Sequence, residues 1–386
     1  MVKRSKNYVV AMAVGVLALV VVAASYGAGS GTSKRAADSP LVKMAKQNVA
    51  AFEAGPTKYA GPKQPFNPGK GTAAVMACGF AAPVCADQSK EAVTALKAMG
   101  WTVSPAFDGQ FSPQVQAGFL DRAVQQKLDA VIMVSVDVTT IKPAVDRAIA
   151  AGLNILCTFC VSREYYGKKT TKGWVYDVTA DFEKQGEMDA WTVLSQNGEN
   201  AKVAVFTDKA FDPLPPRLAG FTKVFKTECP KCPFQVRYFA TGNIAKPGPP
   251  EFNALLSTKP AGTLTNVVGH YDGMGMAMAK TLKQIGRTDI KVVAYDTTTD
   301  SINALVTGSP AAYTAAAAGP YSYAEWAAAD VIGRLKAGKP LWPGRMSLQS
   351  TLIDATNAKQ HLPPNTVDPT PSGDWRGVFK KLWGKG

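Results

Sequence analysis

Six cysteines fall into three local pairs: Cys78 with Cys85, Cys157 with Cys160, and Cys229 with Cys232. Such pairs can be disulfides, a zinc site or a redox couple. Cys157-Thr158-Phe159-Cys160 has redox spacing, but residues 161–169 do not read as the helix that lowers the first thiol's pKa. An even count in a chain that opens with export features points to short-range disulfides. Each would close only a short loop, so its stabilisation lies at the low end for such bonds. Catalytic chemistry is poorly served. The only histidines are His270 and His361, and there is no Gly-x-Ser-x-Gly elbow or His-Glu-x-x-His helix. Gly273-Met274-Gly275 lacks the third glycine of a dinucleotide loop. Gly69-Lys70-Gly71-Thr72 precedes the first strand, whereas a phosphate loop follows one. No enzyme activity, cofactor or metal is expected.

A second set of residues suits binding. Phe80, Asp137, Phe159, Arg217, Tyr271, Asp272 and Asp296 all fall just beyond predicted strands. Ligands bind there in parallel α/β sheets. Aromatic faces would cover the apolar side of a small molecule, while carboxylates and arginine satisfy its hydroxyls or charge. Most have a plainer reading beside this one. Asp137 precedes Thr139 and Thr140 and can cap the next helix. Phe80 and Phe159 can be packing residues, and Asp208 reads as a loop residue. Asp300 sits well as a helix cap, which leaves Asp296 free for function. Arg217 falls in the first turn of a helix, where a cation opposes the dipole, so it wants a partner such as a ligand.

The elements that must position these groups alternate regularly. Residues 73–77, 102–107, 130–134 and 153–157 read as strands, separated by helices with apolar stripes such as Val115, Phe119, Leu120 and Ala123. The continuous apolar run 130–134 is a strand covered on both faces. The same grammar restarts at 174–178 and continues through strands at 203–206, 234–239, 265–268 and 292–295, then a long helix at 321–336. Repeated βα units predict parallel, doubly wound sheets. There are too many strands for one sheet, so two lobes are expected.

The ends are different. Lys3, Arg4 and Lys6 precede an apolar run from Tyr8 to Ala24, followed by small residues. This is an export signal over 1–28. An uncleaved anchor is the other reading, although alanines and glycines dilute the run. No cysteine near the cut supports a lipid anchor. Residues 29–71 hold a helical stretch near Leu41–Phe52 and then a density of glycine and proline that reads as a linker with no packed core. Residues 359–386, with a proline- and glycine-rich, basic stretch from Pro363 onward, read as a surface tail. The net charge of +14 falls by the three cations of the signal head to +11 on cleavage. It reads as a scattered lysine excess, without the clusters that mark nucleic-acid binding.

The stretches Asp129-Ala130-Val131-Ile132 through Ile141-Lys142-Pro143-Ala144-Val145, Ala151-Gly152-Leu153-Asn154-Ile155, Pro216-Arg217-Leu218-Ala219-Gly220-Phe221 and Gly286-Arg287-Thr288-Asp289-Ile290 through Asp296 resemble sugar-type periplasmic binding proteins of ABC transporters, ribose-binding proteins among them. The resemblance covers about Thr72 to Asn357. It implies two Rossmann-like lobes, 72–179 plus 319–345 and 180–318 plus 346–358, joined by a hinge of three crossovers near Ala180, Ala318 and Arg345. It also implies an exported, monomeric protein that captures a small-molecule solute and delivers it to an ABC permease. The competing role is a sensing module that presents ligand to a membrane receptor or sensor kinase. Arg217, Asp296 and Asp272 match the family's sugar-binding arginine and carboxylates. Tyr271 replaces the usual asparagine, and Ala318 or Gly319 stands where a glutamine is expected. Sugar is thus the default solute, and an aromatic or nucleoside-like one the alternative.

Overall fold

The computed structural model describes residues 38–55, 63–160, 175–208, 213–239, 250–342, 346–362 and 374–386. The expected export signal, Arg345 and residues 363–373 of the expected tail lie outside them. The chain begins with helix α1 (Pro40–Glu53), capped by Ser39, whose Oγ accepts from Val42 N. Then follow β1 (Thr72–Ala77), α2 (Pro83–Met99), β2 (Thr102–Val103), β3 (Phe107–Asp108), α3 (Pro113–Gln125), β4 (Ala130–Val134), α4 (Lys142–Ala150), β5 (Asn154–Thr158) and β6 (Val175–Ala180). Next come α5 (Phe182–Asn197), β7 (Val203–Thr207), α6 (Leu214–Glu228), β8 (Phe234–Tyr238), α7 (Pro250–Ser257), β9 (Asn266–Gly269), α8 (Asp272–Gln284), β10 (Lys291–Tyr295), α9 (Thr299–Thr307) and β11 (Tyr313–Ala318). The chain closes with α10 (Tyr321–Ala337), β12 (Met346–Leu348), β13 (Thr351–Asp354) and α11 (Trp375–Leu382).

Two α/β lobes result, as expected. The lobe 1 sheet runs β12-β6-β5-β4-β1-β2, with β3 also beside β1, and its pairings are parallel. The lobe 2 sheet runs β13-β11-β10-β9-β7-β8, antiparallel only at β13. Every residue of β4 is buried. Ile132 and Val134 join the cluster under α2 and α10, while Val131 and Met133 join the one under α3 and α4. This alternation is what a covered central strand produces.

Several expectations are corrected. The single strand 102–107 is two short ones, because Ser104-Pro105 interrupts it and proline cannot donate to the ladder. Helix α7 had no expected counterpart. β12 pairs with β6, so the third crossing between lobes falls between Leu348 and Thr351 rather than near Arg345. Asp300 is not the cap of α9. Thr298 is, reciprocally bonded to Ser301. Within the expected linker, Leu41 and Ala45 of α1 are buried in the lobe 2 cluster that holds Trp191 and Phe225. All three local cysteine pairs are closed as disulfides.

The C-terminal segment is also not a surface tail. Trp375, Phe379, Leu382 and Trp383 recur at helical spacing and bury one face of α11 in the lobe 1 core. Trp383 stacks on Trp326 at 5.4 Å. Beneath them lies a buried ion pair, Arg334 Nε to Asp330 Oδ2 at 2.6 Å. Asp330 also accepts from Trp342 Nε1 at 2.8 Å and from Trp383 Nε1 at 2.9 Å, and Phe66 lies under the Arg334 guanidinium. A buried carboxylate with three donors is well satisfied; removing one leaves it short. Trp383→Ala should therefore lower stability by about 3–5 kcal/mol in chemical denaturation. A change within about 0.5 kcal/mol, typical of surface positions, would contradict the docking of α11.

Candidate functional site

Two glycines set the geometry of the site. A Cβ on Gly186 of α5 would lie 2.0 Å from Arg217 O, and one on Gly220 of α6 would lie 1.9 Å from Glu183 O. Only residues without side chains allow this approach. It lets Arg217 Nε donate to Gln185 Oε1 at 2.9 Å, and Gln185 Nε2 donates in turn to Ser350 Oγ. Arg217 Nη1 donates to His270 O at 2.7 Å and to Asp296 Oδ2 at 3.3 Å, and Nη2 donates to Asp296 Oδ1. The partner that its place in the first turn of α6 called for is thus Asp296. Of the five N–H donors of a guanidinium, four are engaged among the described residues. One Nη2 hydrogen is left.

Both members of this pair are buried. Burial works against the Arg217 charge, but Asp296 opposes that and the pKa is held above its ordinary value. Nearby groups lose their charge. Burial pushes the Asp189 carboxyl well up, beside the Tyr295 hydroxyl. Burial and then Arg217 push His270 well down. Asp272 is pushed up to about 7 by burial and then by the Asp296 charge. The lobe 2 end of the site thus holds one firm cation and its carboxylate among groups that favour neutrality.

These groups form one wall of a small cavity between the lobes, about 40 Å3 in volume. Pro213, Leu214, Arg217, Tyr271, Asp272 and Asp296 line it from lobe 2. Phe111, Ser135, Phe159, Phe182 and Tyr321 face them, with Ala82, Pro83 and Val84 at the start of α2. Phe159 packs edge-on to Phe182 and Tyr321. The Tyr321 hydroxyl donates to Asp296 Oδ1 and so ties the lobe 1 core to the lobe 2 ion pair. Proline at the starts of α2 and α6 removes backbone donors there. At α6, where Pro213, Pro215 and Pro216 cluster, few of the open amides that hold phosphate are left.

Among the described residues, six that are not glycine have positive φ, and four of them line this cavity: Phe111 (51°), Ser135 (53°), Phe159 (58°) and Asp296 (63°). A side chain in that region is strained by roughly 1–3 kcal/mol, and such strain clusters at functional sites. Here it turns strand-end side chains into the space between the lobes.

Of the expected residues, Phe159, Arg217, Tyr271, Asp272 and Asp296 come together. Phe80 does not line the cavity and is 39% exposed; Phe111 takes the aromatic position beside α2. Asp137 also lies elsewhere, accepting from Thr139 N and Oγ1 in a local turn. Gln185, Phe182 and Tyr321 were not foreseen. Their signal is weak, because each sits at a lobe crossing that only the three-dimensional fold brings to the site.

A family model described as a periplasmic binding protein domain matches residues 74–340. The structure is similar to an ABC transporter solute binding protein from Agrobacterium vitis with bound allitol, at 19% identity and TM-score 0.64, covering 75% of this chain and 97% of that one. It is also similar to a Mycobacterium smegmatis protein in complex with β-D-fucofuranose, at 20% identity and TM-score 0.65, covering 77% and 95%. A third is the 5-methylthioribose transporter solute binding protein of Thermotoga lettingae, at 16% identity and TM-score 0.68, covering 85% and 100%. At these identities the likeness is one of fold. No curated protein matches the sequence.

The raised Asp272 pKa has a stability consequence. Between the ordinary carboxyl value of 3.8 and about 7, the folded chain binds a proton that the unfolded chain has lost. The stability tied to this proton is full below about pH 4 and is lost as pH rises through about 7. Asp272→Asn removes the dependence. Denaturation at pH 5 and pH 8 should show the variant gaining roughly 2–3 kcal/mol on the unmodified protein between the two. A pH-independent difference would contradict a protonated Asp272.

Proposed function

Since this chain belongs to the periplasmic binding protein family, we propose that it captures a compact polyhydroxylated solute between its lobes outside the cytoplasmic membrane. It then delivers that solute, as a monomer, to the permease of an ABC transporter. The observation that carries this reading is the asymmetry of the cavity. One wall offers a guanidinium hydrogen and the Asp272 and Asp296 carboxyl groups; the other is mainly aromatic and apolar, with Ser135, Gln88 and the Tyr321 hydroxyl as its polar groups. Vicinal hydroxyls can donate to a carboxylate and accept from arginine on the first wall. A ring face or apolar substituent would lie against Phe111 and Phe159 on the second. Tyr271 adds an aromatic edge to the polar wall and packs against Phe239 at 5.8 Å, which favours a sugar derivative with an apolar portion over a bare sugar.

Asp296 also explains how such a solute would close the protein. Its Oδ1 accepts from both Arg217 and Tyr321. A solute hydroxyl that takes the place of the Tyr321 hydroxyl keeps Asp296 satisfied and becomes the new link between lobes. The family is extracytoplasmic, and among the described residues no helix is long and apolar enough to cross a membrane. The basic and apolar head of the sequence supplies the route of export.

Allitol, β-D-fucofuranose and 5-methylthioribose are the natural probes, because the three related structures carry them. Titration calorimetry should find binding of at least one, and Arg217→Lys should weaken it by roughly tenfold to a hundredfold. Lysine keeps the charge but loses the two-pronged geometry toward Asp296. No binding of any probe at millimolar concentration would contradict a polyol site, and unchanged affinity in Arg217→Lys would place the solute elsewhere.

A further inference from the structure

Gln88 lies in the second turn of α2, 4% exposed, and lines the cavity from lobe 1. Its Oε1 is buried and has no hydrogen-bond partner among the described residues. Its neighbours on this wall, Ala82, Pro83, Val84 and Cys85, carry no side-chain oxygen or nitrogen, and Cys85 is held in the disulfide to Cys78. A buried amide oxygen left without a donor is costly and rare in folded proteins. Leucine or methionine would fill the same place on a helix face without that cost. The amide is therefore out of keeping with its surroundings unless something enters the cavity to meet it.

We infer that Gln88 is the specificity-determining amide of lobe 1, accepting a hydrogen bond from a solute hydroxyl when the lobes close. This rests on the reading of the cavity as a polyol site and adds a requirement to it. The solute carries a hydroxyl, or an equivalent N–H, on the side turned away from Arg217 and Asp296. The remainder of that side is largely apolar, since Phe111, Phe159 and Val84 surround it, with Ser135 and the Tyr321 hydroxyl as its other polar groups. Charge-assisted bonds to lobe 2 hold the solute first. Gln88 meets it only from the opposite lobe, so the contact belongs to the closed complex and governs release.

The test is Gln88→Leu, with Gln88→Asn as a shortened amide. In the ligand-free protein the leucine variant should melt at the same temperature or higher, because an orphaned acceptor has been replaced by apolar surface. For whichever of allitol, β-D-fucofuranose and 5-methylthioribose binds the unmodified chain, Gln88→Leu should raise the dissociation rate about tenfold or more with the association rate little changed. Gln88→Asn should fall between the two. A lower melting temperature in ligand-free Gln88→Leu would show that the amide serves the fold, and would overturn the inference. So would equal dissociation rates. If none of the three probes binds the unmodified chain, the polyol reading fails while the ligand-free comparison still decides the role of Gln88.

Discussion

The buried pair of Arg217 and Asp296 is the constraint on which the rest of the site depends. Removing two charges from water costs several kcal/mol for each ion, and their attraction offsets this only with good geometry and further hydrogen bonds. Both conditions are met here. The guanidinium fork meets the carboxylate two-pronged, Gln185 and the His270 carbonyl take two further hydrogens, and the Phe182 and Tyr295 rings cover it at 5.2 and 4.6 Å. The neighbouring Asp189, Asp272 and His270 are pushed toward neutrality, so the pair is not surrounded by competing charge. Each feature has a structural origin: two glycines let α5 and α6 approach, and a left-handed backbone at Asp296 turns its side chain inward.

From this pair follows a division of labour between the lobes. Lobe 2 carries the charge and has most of its hydrogen bonds already made. Lobe 1 carries aromatic surface on strained strand ends and reaches the pair through the Tyr321 hydroxyl and the Phe182 ring. In the proposed function a solute meets a preorganised polar wall and is then covered by a largely aromatic one, which excludes water and strengthens the bonds beneath it. The supports of lobe 1 lie partly outside the stretch matched by the family model. Phe66 and α11 both pack into its core, against α10, the helix that begins with Tyr321.

The two-lobe α/β fold was legible because buried parallel strands write themselves as short apolar runs, as at 130–134, and because proline and glycine punctuate the helices between them. Arg217 and Asp296 were legible from placement: one opposes a helix dipole and the other stands beyond a strand. Asp137 and Phe80 show the limit of that argument. Both follow predicted strands, yet a local turn through Thr139 satisfies the first, and Asp108 accepting from Phe80 N holds the second at the surface. Tyr321, Gln185 and Gln88 escaped because their importance is relational. Nothing near Gln88 in the sequence says that its amide oxygen will be buried without a partner among the described residues. The aromatic face of α11 was hidden differently, by a proline- and glycine-rich approach that made the whole segment read as a tail.

Hydrogen–deuterium exchange with saturating allitol, β-D-fucofuranose or 5-methylthioribose tests the central claim most directly, that the solute sits between the Arg217–Asp296 pair and the aromatic wall. The account predicts slower exchange in the amides after β9 and β10, at the start of α10 and in the first turns of α2, with the outer faces of both lobes unaffected. Slowing confined to another surface, such as the groove between α6 and β8 beside Lys223, or none with any of the three, would contradict it.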